Sequence, residues 1–290
     1  MKLTKFKFKI AITGHSGVIG STFIKKYQKD IKFIKYNDDL RNTKKLKSWI
    51  KTVDAEAFLH LAARVPVKIV EGNKKLSKKI NFECVKIIVE EIKKNKKIKW
   101  FFFASTSHVY EKSLKAVNEK SLIGPSNYYG YTKHLTEKFL INLKNKKTKI
   151  KICIGRIFSF TNYNQNYNFL IPSIYKKIIK KEKFDINNLQ SFRDFLHVDD
   201  VCKAIYLLFK KKAGGIYNIS SNKKIKIIDL ANKINLQLNN KKIFNSKNKF
   251  NSKDVLFGDN TKLKKLGWKP SYNIESIIKD YIYYKKKFHE

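Results

Sequence analysis

The chain has 290 residues, 42% of them hydrophobic, 13% aromatic and 30% charged. That length and apolar share supply a full core, which excludes small scaffolds held by disulfides or metal and excludes global disorder. No apolar run approaches the roughly 20 residues that span a bilayer, and the Lys-rich start lacks the apolar stretch of a signal peptide, so no membrane partner and a cytoplasmic location are expected.

Cys84, Cys153 and Cys202 are widely spaced, with no CxxC or Cys/His ligand pattern. Reduced thiols are expected, and no metal site is implied. Lys and Arg number 64 against 23 Asp and Glu, a net charge of +41. A basic surface releases counterions from nucleic-acid phosphate. Yet the arginines are Arg41, Arg64, Arg156 and Arg193 alone, and the excess is Lys among many Ile, Asn, Phe and Tyr, as an AT-rich coding sequence gives. A base reader favours the bidentate fork of Arg, so nucleic acid is not the expected partner and the charge is read as general anion attraction.

In chain order, Phe6, Phe8, Ile10 and Ile12 alternate with Lys7 and Lys9 and predict a strand over 6–13 that ends in a run suited to burial on both faces. Gly14-x-x-Gly17-x-x-Gly20 follows at once, and Val18 to Tyr27 take helical spacing. Apolar runs at 31–36, 55–61, 98–104 and 149–158 predict further strands, with helices at 43–51, 74–95 and 128–145 between them. This alternation predicts an α/β fold, a Rossmann-type doubly wound parallel sheet with right-handed crossovers. After about residue 160 the rhythm breaks. An Asn/Tyr-rich loop at 162–168 precedes a helix through Lys180, and RDFLHVDDV (193–201) opens another helix with Asp199 and Asp200 near its cap. A short strand at 215–219, a helix at 226–236, a polar connection at 239–253 and a terminal helix at 274–287 complete the chain.

Glycines between a first strand and a first helix let the backbone bend tightly and approach a pyrophosphate, whose charge then sits on the helix N-terminus. A dinucleotide site is therefore expected at Gly14, Gly17, Val18, Ile19 and Gly20. The second strand ends KYNDDLRN, and no acidic residue sits unambiguously at its tip, where a ribose 2′-hydroxyl would bind.

Tyr-x-x-x-Lys occurs four times, at Tyr129/Lys133, Tyr206/Lys210, Tyr281/Lys285 and Tyr283/Lys287, and only the first follows a strand ending in the hydroxyls Ser105, Thr106 and Ser107. Helix positions i and i+4 share a face, so Tyr129 and Lys133 can point at one substrate carbon. A phenol near pKa 10 needs roughly 4 kcal/mol of differential stabilisation to act as a base near pH 7. A neighbouring ammonium, here that of Lys133, is an expected source.

The GxxGxxG spacing, HLAA at 60–63, Asn81, ASTSHVY at 104–110, YGYTK at 129–133, RDFLHVDD at 193–200 and LGWKP at 266–270 together resemble the extended short-chain dehydrogenase/reductase family, the nucleotide-sugar epimerases and dehydratases. The resemblance covers nearly the whole chain. It implies NAD or NADP, with NAD favoured, bound also by Leu61, Ala62 and Ala63 and with Asp39 and Leu40 against adenine. Lys35 or Arg41 suits a 2′-phosphate. It further implies Tyr129 as general base/acid, Lys133 as the residue that tunes it and holds the nicotinamide ribose, and Thr106 as hydroxyl partner of the same substrate oxygen, a role open also to Ser105 and Ser107.

A domain over 1–160 is expected to carry the dinucleotide and the catalytic residues. A smaller C-terminal α/β substrate lobe is expected over 161–290, with some segments returning to the first domain.

Family dehydratases carry an Asp-Glu pair after the Thr, and similar decarboxylases read STSEVYG; here Ser107 and His108 follow Thr106, and Glu111 replaces the Gly. What the resemblance leaves is chemistry at sugar C4, a nucleotide-sugar 4-epimerase first and a 4-keto-6-deoxy-sugar reductase second, with a non-catalytic dinucleotide sensor as the other class. Ser107 and His108 are substrate-side candidates, His108 being either a substrate contact or a packed side chain. His60 is expected to pack at a strand end, and His134 and His197 to be structural. Arg193 is the implied ligand of the nucleotide-sugar diphosphate, with Asp194 or Asp200 as competing partners. A second arginine is absent near 251, leaving Lys249 or Lys253, and Ser159 replaces the usual Asn after RIF. Family members often dimerise through helices that include the Tyr/Lys helix, so a homodimer is expected.

Overall fold

A computed structural model describes residues 6–144, 149–181, 189–240, 244 and 254–289. The chain forms two compact units, one of residues 1–109, 125–156 and 202–217, the other of 110–124, 157–201 and 218–290.

The first unit begins with β1 (Phe8–Thr13), whose last four residues are buried, followed by α1 (Val18–Tyr27), β2 (Ile31–Lys35), α2 (Thr43–Thr52) and β3 (Ala57–His60). Next come α3 (Val67–Gly72), α4 (Lys74–Lys78), a π-helical turn (Lys79–Glu83), α5 (Cys84–Lys94) and β4 (Trp100–Thr106). A 3-10 turn (Ser107–Val109) leads out of β4, and α6 (Tyr128–Lys144) and β5 (Lys151–Ile157) follow.

In the second unit β6 (Ser159–Thr161), α7 (Leu170–Ile179), β7 (Phe192–Arg193) and β8 (Phe195–His197) lead into α8 (Val198–Lys210) and β9 (Gly215–Ile219), most of which belong to the first unit. Then come β10 (Ile225–Lys226), α9 (Ile227–Gln237), β11 (Val255–Leu256), α10 (Thr261–Lys264) and α11 (Ile274–His289).

Six strands make the main sheet in the order β2-β1-β3-β4-β5-β9. The pairings β1/β2, β1/β3 and β3/β4 are parallel, which explains why β3 and β4 are buried along their whole length: helices cover both faces. Phe58, Phe101 and Phe103 meet Leu46, Ile50, Val85 and Ile88 of α2 and α5 in one core cluster. The chain leaves β1 for β2 on one side and returns to β3 on the other. The strand order therefore reverses at β1, where an open α/β sheet offers a crevice at the carboxyl ends of its strands.

The second unit holds a three-stranded sheet, β10-β7-β11, and the parallel pair β6-β8. Its core joins Ile171 and Ile174 of α7, Leu230 and Ile234 of α9, and Ile277, Ile278 and Tyr281 of α11. No helix among the described residues is long and apolar enough to cross a membrane.

Candidate active site

The glycine turn sits at that strand-order reversal. Thr13, the last residue of β1, lies in register with His60, the last of β3, and His60 lies in register with Phe103 of β4. Gly14 has φ +74, a left-handed conformation that side chains disfavour, and a Cβ there would come within 2.4 Å of the Ala62 backbone nitrogen. A Cβ on Gly20 would lie 2.1 Å from the Gly14 carbonyl oxygen. The turn therefore approaches the first part of α1 and the Leu61–Ala62 backbone closely. Gly17 caps α1 without a side-chain hydrogen bond and no acid stands in its first turn, so the helix N-terminus is offered to an anion. These residues fit a dinucleotide pyrophosphate.

In the loop after β2, Asp39 accepts three hydrogen bonds from Arg41: backbone N–H at 2.7 Å, Nε at 2.8 Å and Nη2 at 2.5 Å. These contacts hold its carboxyl below the usual range. Leu40 is buried among Tyr36, Leu46 and Ile50, which leaves Asp39 as the exposed member of the pair expected against adenine. Arg41, a candidate for a 2′-phosphate, is already matched to a carboxylate, and Lys35 is exposed.

Tyr129, Lys133 and Thr106 come together at the ends of β4 and α6. Thr106, 5% exposed, hydrogen-bonds the Tyr129 phenol and accepts the His108 backbone N–H at 3.3 Å. Lys133, 2% exposed, donates from Nζ to the Ala104 carbonyl at 2.7 Å and lies 4.6 Å from the Phe103 ring centroid and 6.0 Å from that of Tyr129. Burial pushes the phenol up to about 12, against the Thr106 hydrogen bond, and pushes the lysine down to about 7, against the pull of Glu137. In the protein without its dinucleotide, burial therefore acts against the acidification of Tyr129 expected from Lys133: the ammonium donates to a strand carbonyl, and desolvation favours the neutral form of both groups.

What pins Tyr129 is its glycine neighbour. A Cβ on Gly130 would lie 2.1 Å from the His108 carbonyl oxygen, so only glycine lets α6 close onto the 3-10 turn. Asn127 caps the helix, accepting from the Gly130 N–H at 2.9 Å, and its amide reaches His108 Nδ1 at 2.9 Å. His108 also stands edge-on to Tyr129, ring centroids 5.8 Å apart. His108 is accordingly packed beside Tyr129, and Ser107 is buried in the same turn. The π-helical turn carries Asn81, which accepts from the Arg64 N–H at 2.7 Å and donates to the Arg64 carbonyl and to Thr132 Oγ1, both at 3.3 Å. It thereby ties the segment after β3 to α6.

One turn beyond Lys133, Glu137 accepts from Ser105 Oγ and from Arg156, whose Nη2 lies 2.6 Å away and whose Nε is 3.1 Å from both carboxylate oxygens. Gly130, Asn127, Glu137 and Arg156 were not among the expected site residues. A signal existed: Glu137 continues the spacing of four from Tyr129 and Lys133, and Arg156 interrupts an apolar strand.

His60 is packed as expected, its Nδ1 2.7 Å from Thr13 Oγ1, and burial with the nearby Lys133 pushes it down to about 3. His197 contacts Asp280 at 3.0 Å and stacks on Tyr272.

In the second unit Arg193 is held by neither Asp194 nor Asp200. Its Nη2 donates to Asp254 Oδ1 at 2.7 Å and its Nη1 to the Asp254 and Phe192 carbonyls at 2.9 and 2.8 Å. Asp254 also receives Lys112 Nζ and Ser191 Oγ. Although burial opposes it, these donors hold the carboxyl below its usual range. Asp194 instead accepts the backbone N–H groups of Ser221, Asn222 and Gly258, and Asp200 those of Ser271 and Tyr272. Lys249 and Lys253 lie outside the described residues. Among those described, no group of three or more His, Cys, Asp or Glu is placed to hold a metal ion.

Comparison with known proteins shows the family of the chain. The sequence model of the family described as GDP-mannose 4,6 dehydratase matches residues 13–281. The chain is 29% identical to GDP-6-deoxy-D-talose 4-dehydrogenase of Aggregatibacter actinomycetemcomitans over 70% of each protein. It is 28% identical to UDP-glucose 4-epimerase of Mycoplasma genitalium over 70% of this chain and 72% of that one. Among solved structures, UDP-glucose 4-epimerase of Thermotoga maritima with UDP-glucose has a TM-score of 0.86 at 21% identity, covering 97% of this chain and all (100%) of that one. RMD from Pseudomonas aeruginosa, complexed with NADPH, has a TM-score of 0.81 at 21% identity, covering 94% and 98%. The chain belongs to the GDP-mannose 4,6-dehydratase family, within the extended short-chain NAD-dependent epimerases/dehydratases, enzymes that use NAD(P) and act on nucleotide sugars.

Proposed function

We propose that this enzyme is a nucleotide-sugar 4-epimerase, exchanging hydride at C4 with Tyr129 as general base and acid. The observation that carries the reading is the Thr106–Tyr129 hydrogen bond beside the buried Lys133, together with Ser107 and His108 standing where family dehydratases carry Asp and Glu. When bound, the nicotinamide supplies the hydride acceptor and a positive charge.

The chain's own residues do the rest. Thr106 and Tyr129 Oη converge on the substrate oxygen, fixing which carbon reacts. Tyr129 takes the C4 hydroxyl proton as the carbon is oxidised and returns it as the ketone is reduced. Bringing the phenol from about 12 toward neutrality calls for roughly 7 kcal/mol. That stabilisation comes at binding, as the incoming positive ring and Lys133 together favour the phenolate. Lys133 would hold the nicotinamide ribose and Asp39 the adenine end of the dinucleotide, and Arg193 would take the diphosphate of the sugar nucleotide in exchange for Asp254. NAD is favoured because the Arg41 charge near the β2 tip is neutralised by Asp39. Residues 1–160 supply most of the dinucleotide side and 161–290 most of the substrate side. A cytoplasmic homodimer accords with the three buried cysteines, none in a disulfide, and with Tyr131 and Ile141, apolar side chains exposed on α6.

A second reading, reduction of a nucleotide 4-keto-6-deoxy-sugar, is favoured by the similarity to the GDP-6-deoxy-D-talose 4-dehydrogenase. Incubation with UDP-, GDP- and dTDP-hexoses separates the two. An epimerase interconverts C4 isomers with no net cofactor consumption, whereas a reductase leaves these unchanged and oxidises one NAD(P)H for each 4-keto sugar reduced. Inertness toward both substrate types with intact dinucleotide binding would leave a sensor.

A further inference from the structure

Lys133 is sealed from water without a carboxylate bonded to it, and such a group is prone to lose its proton. The titratable groups around it are few. Tyr129 and Glu137 lie one turn to either side on α6, and His60 approaches from β3 as a neutral ring. Arg156 on β5 faces Glu137, and His134 on α6 is within reach of that pair. Glu137 is therefore the anion that favours the ammonium. It is 1% exposed, gripped through both oxygens by Arg156, itself 3% exposed, and receives the hydroxyl of Ser105, the residue before Thr106. Its carboxylate and the Lys133 amino group thus bind consecutive residues of β4, Ser105 and Ala104.

We propose that Glu137, locked by Arg156 and Ser105, is a positioning residue that keeps Lys133 charged and fastened to the end of β4, ready for the nicotinamide ribose. Tyr129, Lys133 and Glu137 then act as one stripe at i, i+4 and i+8, with the acid behind the base it serves. The inference rests on the reading of Lys133 as the ribose ligand and deepens it.

The test needs no sugar substrate. NADH fluorescence, or NADPH fluorescence where that cofactor binds more tightly, gives the dissociation constant of the full chain from about pH 6 to about pH 9, a range that brackets a lysine lowered by burial. The wild-type affinity is expected to fall as rising pH removes the Lys133 proton. In K133M binding is weak and flat with pH. In E137Q the fall moves to lower pH by about one unit, the size of a single charge partner's effect, whereas E137D, which keeps the charge, retains the wild-type midpoint. Should E137Q strand Arg156 and fail to fold, E137Q/R156Q buries no charge at this pair. Its midpoint is expected to shift in the same direction by less, since the carboxylate is the charge that acts on Lys133. A purely structural Glu137 would lower the melting temperature and leave the midpoint unmoved. Wild-type midpoints in E137Q and E137Q/R156Q, with the pH dependence lost in K133M, would overturn this inference alone. A pH dependence that survives in K133M would overturn the reading of Lys133.

Discussion

The end of β4 and the neighbourhood of Arg193 each hold a cation, but the two are matched to their acids in different ways. Around Lys133 the ammonium donates to a carbonyl and its nearest acid is one helical turn away, spoken for by Arg156. Around Arg193 the guanidinium is already closed on Asp254, which also holds Lys112. In the first region the ammonium is bonded to no carboxylate, and its acid, Glu137, acts from one helical turn away. In the second the cation is bonded to its acid, which an incoming anion would have to displace. Two cations matched so differently respond differently to mutation, and the two regions can be tested against each other on that ground.

The largest effect is expected at Tyr129. Y129F keeps the ring that packs on His108 and removes only the proton-bearing oxygen, so turnover of the nucleotide sugar should fall by about 10²- to 10⁴-fold. Dinucleotide affinity, read by fluorescence, should stay within about twofold, because the glycine turn and Lys133 are untouched. Full activity in Y129F would remove the phenol from the chemistry and end the contrast.

G130A comes next. The added methyl would sit 2.1 Å from the His108 carbonyl, a backbone atom fixed in the 3-10 turn, so α6 has to slide away from β4. A displacement of about 1 Å between Tyr129 and Thr106 is enough for roughly a 10²-fold loss of turnover. Overpacking should lower stability by about 1–3 kcal/mol, read by denaturant unfolding. Unchanged turnover in a folded G130A would show that the close approach of helix and turn does not set the geometry.

This residue also shows where reading the sequence stops. Gly130 is visible in YGYTK, and the motif placed Tyr129 and Lys133 on one helix face without any coordinates. The surface that makes glycine necessary, the His108 carbonyl, lies 22 residues earlier and enters only through the fold. The first unit was legible because β1, β3 and β4 are buried along runs that leave an unmistakable apolar signature, and because α1 and α2 carry helical spacing between them. The stretch read as one helix over 74–95 contains a π-helical turn at Lys79–Glu83 that no periodicity reveals, although Asn81 marked the spot. In the second unit β7, β10 and β11 have two residues each and β8 three, too short for a period of two to register, so RDFLHVDDV read as the opening of a helix when Arg193 and Phe195 are in strands. The Arg193–Asp254 pairing spans 61 residues and was hidden for the same reason.

Arg193 gives a smaller effect, and one that separates the two regions. Replacing it in R193M removes a bidentate donor, which should weaken binding of UDP, measured by calorimetry, by about ten- to a hundredfold, the range for lost hydrogen bonds to a charged group. D254N leaves the arginine and removes its competitor, so UDP affinity should hold or rise while the melting temperature falls, Lys112 and Arg193 having lost their shared anion. A loss of UDP affinity in D254N as large as in R193M would mean that Asp254 orients the arginine for the ligand instead of competing with it.

The smallest effect is expected at His108, the residue whose role the sequence left open between substrate contact and packing. Its Nδ1 meets the Asn127 amide, its ring edge meets Tyr129, and its carbonyl is the surface against which Gly130 closes. Two of these contacts use the side chain and the third uses only the backbone, which any residue supplies. H108Q keeps a polar acceptor for the Asn127 amide with a similar reach, so kcat should stay within about threefold, the cost of one imperfect neutral hydrogen bond. An imidazole that moved protons during turnover would instead leave a limb in the pH profile near its ordinary pKa of about 6.5, and that limb would vanish in H108Q. The packing argument therefore predicts superimposable acidic limbs for H108Q and wild type. Their divergence would put a second titrating group beside Tyr129 and make the β4 end a two-base site.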